Sequence, residues 1–232
     1  MTDYKLLACR QADDLLQAAL NAPVPMPTRK GKGAFAANAA PKAHRLDGGA
    51  VLPLLSTAGT FFEEITLDNG FLNFHFGEAF YAAILSMEPE KACPGKLPIA
   101  REIQSPAAVE KWDIVFLTAL KGKPPHWSLA ARQDRENPAW LVRYTARRLL
   151  EFSTSDAEIA DISPEMRSLL CLAADYPAVS QGDARALAGF LHSLALRVWE
   201  VTPQRMPEKV RRCVGGVLRA GMEGFVEPKA RQ

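Results

Sequence analysis

The chain has few of the features that announce a chemistry. Its four cysteines, Cys9, Cys93, Cys171 and Cys213, lie far apart, so there is no CxxC pair and no Cys/His spacing of the kind a tetrahedral zinc site uses. They are expected to be reduced, mostly buried thiols of a cytoplasmic protein. The histidines, His44, His75, His126 and His192, fall in no HxxxH or HExxH pattern, so no metal site and no cofactor are expected. There is no glycine-rich phosphate loop of the P-loop or GxGxxG type, and no GxSxG elbow to present a nucleophilic serine. No apolar run reaches the roughly 20 residues that span a bilayer. No apolar stretch follows a basic start, as it would in a signal peptide. A membrane partner is therefore not expected. Net charge is only +2, which alone points to no class of partner.

What is present is apolar bulk and grouped charge. The 232 residues are 48% hydrophobic, enough for one large domain or two small ones with packed cores. Arg29 to Arg45 holds Arg29, Lys30, Lys32, Lys42 and Arg45 with no acid, Lys121 to Arg148 holds seven Lys/Arg against Asp134 and Glu136, and Arg205, Lys209, Arg211, Arg212 and Arg219 follow Pro203. Charge grouped in this way can build a basic face on a nearly neutral protein. The plainer reading is that each run is an ordinary solvated face, as Asp13-Asp14 and Glu63-Glu64 are expected to be.

Periodicity predicts an α+β N-terminal part and an all-α remainder. Tyr4–Leu20 reads as a helix with Leu7, Leu15, Leu16 and Leu20 on one face. Residues 33–46, GAFAANAAPKAHRL, are dominated by small side chains, with Pro41 near a helix start. Phe61–Leu67 and Phe71–Phe76 read as strands joined at Asn69-Gly70, the strongest short hairpin signal. The period of two puts Leu72, Phe74 and Phe76 toward the core and Phe71, Asn73 and His75 on the other face. Glu78–Met87 reads as a helix with Phe80, Ala83, Ile84 and Met87 inward. Residues 89–105, rich in Pro and Gly, read as a linker. A helix is expected from Ser105-Pro106, carrying Val109, Trp112, Val115, Phe116 and Leu120. Asn137–Phe152 opens with Asn137 as N-cap and Pro138 at the first helical position, with Leu141, Val142, Thr145, Leu149 and Phe152 on its apolar side. Further helices start at Ser163-Pro164 and Asp183, with breaks near 153–156, 176–182 and 201–207. Short connections between helices argue for a bundle. The expected domains are thus 1–88 and 106–232, with no internal repeat.

Four stretches, in order, resemble the arginyl-tRNA synthetases. Gly33, Phe35, Ala36, Asn38, Ala39 and Ala40 match a stretch of that family's N-terminal additional domain. Gly70, Phe71, Leu72, Asn73 and Phe74 match the domain's last strand. Asn137, Pro138, Trp140, Val142, Tyr144 and Arg148 match the helix that opens the family's DALR anticodon-binding bundle, with Arg143, Ala146 and Arg147 departing from its Gln, His and Ala. Val217–Gly221 is similar to its final helix. The nucleotide-binding catalytic domain has no counterpart: neither a His-Ile-Gly-His-type nor a Lys-Met-Ser-Lys-type motif occurs, and 89–105 is too short for a Rossmann core.

The resemblance implies a non-catalytic tRNA-binding protein acting as adaptor or regulator. It would have an N-terminal α+β domain with an antiparallel sheet and a DALR-type helical bundle, and would not aminoacylate. Phe71 and Asn73 occupy positions that in the family contact a D-loop base, with His75 and Asn38 beside them. An aromatic ring and an amide on one strand face suit an unpaired base. Trp140, Tyr144, Arg143 and Arg147 are candidates on the bundle, and Arg29, Lys30 and Lys32 for phosphates. The expected partners are tRNA, with arginine isoacceptors among the candidate species, and a synthetase or a tRNA-modifying enzyme. Two other readings stand beside this one. One is a protein-interaction module derived from a synthetase; the other is an enzyme with a new site between the domains, marked by His44, His75 or His126 beside an acid.

Overall fold

The computed structural model describes residues 1–20, 35–38, 61–69, 71–95, 109–151, 162–201 and 206–226, with 18–20 and 35–38 described through their backbone alone. The chain divides into two compact units, Asp3–Ile84 and Leu85–Gln232, the second taking in Met1–Thr2. The fold is mixed, mostly helical, with one small antiparallel sheet.

The first unit begins with α1, Tyr4–Leu20. Its buried face is Ala8, Ala12 and Leu16, spaced by four residues. Of the expected leucine stripe Leu16 is buried, but Leu7 is 40% exposed, and Ala8 and Ala12 lie on the buried face in its place. Three strands follow: β1 Phe35–Asn38, β2 Phe62–Asp68 and β3 Phe71–Phe76. They are ordered β1-β3-β2 with β3 in the centre, and both pairings are antiparallel. Nothing in the alanine-rich β1 sequence marks it as a strand; it is placed by pairing with β3 rather than by its own propensity. The hairpin between β2 and β3 turns at Asn69, the only described non-glycine residue with positive φ, at 50°, as a type I′ turn requires. Leu72, Phe74 and Phe76 are buried, as the period of two predicts. Phe76 then stacks on Phe80 of α2, Glu78–Leu85, with ring centroids 3.5 Å apart. Phe80 and Ile84 are fully buried and Ala83 is half-buried.

The second unit is a helical bundle. Residues 89–95, which the composition reads as linker, lie along it: Ala92 N–H donates to Ala220 O, Cys93 N–H to Ser180 O and Gly95 N–H to Gly182 O. The first bundle helix is α3, Lys111–Lys121. Its N-cap Glu110 is extended, with φ −69° and ψ 140°, so the helix does not reach back to Val109 or the expected start at Ser105-Pro106. It ends on Gly122 at φ 70°, whose N–H donates to Thr118 O. A short helix, α4 (Trp127–Ala130), leads to α5, Pro138–Glu151. Then come α6 Pro164–Ala173, α7 Tyr176–Ser180, α8 Ala184–Glu200 and α9 Glu208–Glu223. Ser163 and Asp183 cap α6 and α8 as expected, accepting from Met166 N–H and Arg185 N–H. The break expected at 176–182 contains the short helix α7.

Helix α5 packs on α3, α8 and α9, and α9 also packs on α6 and α8. Leu141, Val142, Thr145 and Leu149 of α5 are buried, as its periodicity predicts, and Ala146 joins them. Close approach to α9 relies on glycine: a Cβ at Gly221 would lie 2.5 Å from Leu191 Cδ2. Among the described residues no helix is long and apolar enough to cross a membrane.

Candidate nucleic-acid interface

Asn137 sets the start of α5. It is wholly buried. Its Oδ1 accepts from Ala139 N–H at 3.0 Å and Trp140 N–H at 3.4 Å, which satisfies donors that a helix leaves open. Its Nδ2 donates back to Ala130 O and Arg132 O, which ties α4 and its exit loop to the same point.

From that start, Trp140, Tyr144 and Arg148 recur every four residues along one flank of α5. The Trp140 and Tyr144 rings stack 4.6 Å apart at 13°. Trp199 of α8 leans on Tyr144 at 5.9 Å and 35°, and its Nε1–H donates to Thr145 Oγ at 3.1 Å. The Arg148 guanidinium carbon sits 5.6 Å from the Tyr144 ring centre, and Nη1 donates to the phenol oxygen. Trp199 is 43% exposed, and Trp140, Tyr144 and Arg148 are half-buried. The result is a stepped row of aromatic faces edged by a guanidinium. The indole N–H is already used, so what it offers outward is π surface rather than a hydrogen-bond code.

Arg143 and Arg147 sit differently. Arg147 is well exposed and pairs with Glu151 one turn on, at 2.5 Å. Arg143 is committed inward: Nη2 holds Asp113 Oδ2 at 3.0 Å and Nη1 pairs with Glu110. Asp113 is 2% exposed, and burial pushes its carboxyl up to about 6 although Arg143 opposes the shift. More widely, several of the grouped basic residues among those described stand beside a carboxylate. Arg132 pairs with Asp134 and Glu136, Arg212 with Glu208 and Arg219 with Glu223.

On the sheet of the first unit, the central strand carries the other candidates. Asn38 and Asp68 are the Cα partners of Phe71 on its two sides; Ala36 and Thr66 are those of Asn73. Two separate stretches of the sequence thus meet at Asn38 and Phe71. Phe71 is 39% exposed. His75 is half-buried, its Nε2 3.3 Å from Thr66 Oγ. Asn73 is only 2% exposed and donates to Phe71 O at 3.4 Å, so the alternation does not put all three in solvent. Arg29, Lys30, Lys32 and His44 lie outside the described residues.

Trp199, Arg148, Asp113 and Glu110 join the site although they are not among the candidates the sequence offers. The spacing of Trp140, Tyr144 and Arg148 was a usable signal for one; Trp199 and Asp113 become neighbours only through packing of α8 and α3 on α5. The thiols form no disulfide. Cys213 is buried, which raises it to about 12, and Cys93 is exposed, against the expectation of general burial. Among the described residues no three His, Cys, Asp or Glu side chains could hold a metal ion. A pocket of about 270 Å³ beside α3 is lined by Lys111, Trp112, Val115, Phe225 and Val226, with no histidine or carboxylate.

Comparison with protein-family models, curated proteins and solved structures finds no match to this chain.

Proposed function

We propose that the protein binds tRNA without aminoacylating it, as an adaptor or regulator derived from an arginyl-tRNA synthetase. The observation that carries the reading is the row Trp140–Tyr144–Trp199 with Arg148 at its edge. Stacked, part-exposed rings beside a guanidinium suit unpaired bases on a phosphate chain, and each base–aromatic contact is worth about 1–3 kcal/mol. The pairing of Asn38 with Phe71 supports it as well, because it joins the two N-terminal stretches that resemble the synthetase additional domain. In this reading the helical unit is of the DALR type, the sheet face around Phe71 takes a loop base, and the cellular site is the cytoplasm. Trp199→Ala is expected to weaken tRNA binding about tenfold while leaving the far-ultraviolet circular dichroism unchanged. An unchanged affinity for tRNA removes the aromatic row from the reading.

A second reading, a protein-interaction module, is favoured by Leu196, 43% exposed one turn before Trp199, and by Leu150, 45% exposed on α5. Leu196→Asp separates the two: lost binding to a synthetase with tRNA affinity intact favours the protein partner.

A further inference from the structure

The contacts of Arg143 are unequal. Asp113 grips Nη2 from the first turn of α3 with a side chain that is 4% exposed, whereas the Glu110 carboxylate on Nη1 is 66% exposed. Arg143 Nε and Asp113 Oδ1 are buried and have no hydrogen-bond partner among the described residues. The inner contact therefore fixes the plane and direction of the guanidinium, because turning it away would strand a buried carboxylate. The outer contact fixes nothing. Glu110 precedes α3 in extended backbone, and an exposed pair of this kind contributes little and is readily exchanged. A phosphodiester oxygen offers Nη1 the same charge and a matching acceptor geometry.

We propose that the outer edge of Arg143 is a phosphodiester site held closed by Glu110, with Asp113 as its positioning residue. This rests on the tRNA-binding reading and adds a control to it: nucleic acid gains Arg143 only by displacing Glu110.

The test is a tRNA titration of the full chain, with Glu110→Gln made in two backgrounds. In the native background Glu110→Gln is expected to tighten binding about two- to fivefold and to steepen the salt dependence by about one phosphate contact. The second background is Asp113→Asn with Arg143→Gln, which leaves no buried charge unpaired and so preserves the fold. There the gain from Glu110→Gln is expected to vanish. Equal gains in both backgrounds would mean that Glu110 acts only through general charge, and would overturn the gate. No gain in a native protein that binds tRNA overturns the gate and leaves the tRNA reading standing. No tRNA binding by any of the four proteins overturns both.

Discussion

At the scale of single residues, the buried acid and the buried amide make opposite contributions. Asp113 has its carboxyl raised from 3.8 to about 6, chiefly by desolvation. A group raised in the folded state stabilises most when protonated. Its contribution is full below the unfolded value and is lost as pH rises through the folded one. Stability should therefore fall by about 3 kcal/mol between about pH 4 and pH 6. Asp113→Asn should flatten that slope in urea titrations across this range; an unchanged slope would show that another group titrates there. Asn137 is the reverse case, with every bond favourable. Asn137→Ala removes the α5 cap and leaves Ala130 O and Arg132 O without their donor. The expected loss is about 2–4 kcal/mol in urea denaturation. The cap was legible in the sequence, because Asn-Pro is a helix-start pattern. Its second pair of bonds was not, because they depend on where α4 ends.

At the scale of elements, what the sequence revealed was periodicity and what it hid was contact. The hairpin, α1, α5, α6 and α8 follow from turn chemistry, spacing and caps, and were readable within a residue or two. Strand β1 was not, because its alanines have no strand preference and only the vacant edge of β3 places it. On α1 the leucines mark apolarity without fixing the face: Leu16 is buried, but Leu7 is 40% exposed while Ala8 and Ala12 are buried. The same logic makes glycine informative on the bundle. Gly221 of α9 faces Leu191, with a Cβ site 2.5 Å from its nearest atom, whereas Gly189 of α8 has nothing within 4 Å. Gly221→Ala should lower stability by about 1–3 kcal/mol through overpacking. Gly189→Ala should raise it by up to about 1 kcal/mol through helix propensity. Thermal melts of the pair read the difference directly, and equal shifts would contradict the packing of α9 on α8.

At the scale of the whole molecule, the α+β composition and the helical remainder were both legible, and the distribution of charge was not. Runs of Lys and Arg along the sequence suggested a basic face. In three dimensions Arg132, Arg143, Arg147, Arg212 and Arg219 each stand beside a carboxylate. Three of these, Arg147–Glu151 on α5 and Arg212–Glu208 and Arg219–Glu223 on α9, are pairs spaced by four residues within a helix, worth a few tenths of a kcal/mol each, so a polyanion can displace them at small cost. On the proposed tRNA-binding reading, affinity comes from stacking on Trp140, Tyr144 and Trp199, with phosphate contacts added by exchange. Binding should weaken with salt but less steeply than the count of basic residues suggests, since each carboxylate freed from an exchanged pair takes up a solution cation and offsets part of the counterion release. The direct measurement is a filter-binding titration of purified protein with tRNA over a series of salt concentrations. Saturable binding is the expected result at low salt, weakening steadily as salt rises, and reduced at every salt concentration by Trp199→Ala. No binding at low salt with protein in the high micromolar range would contradict it.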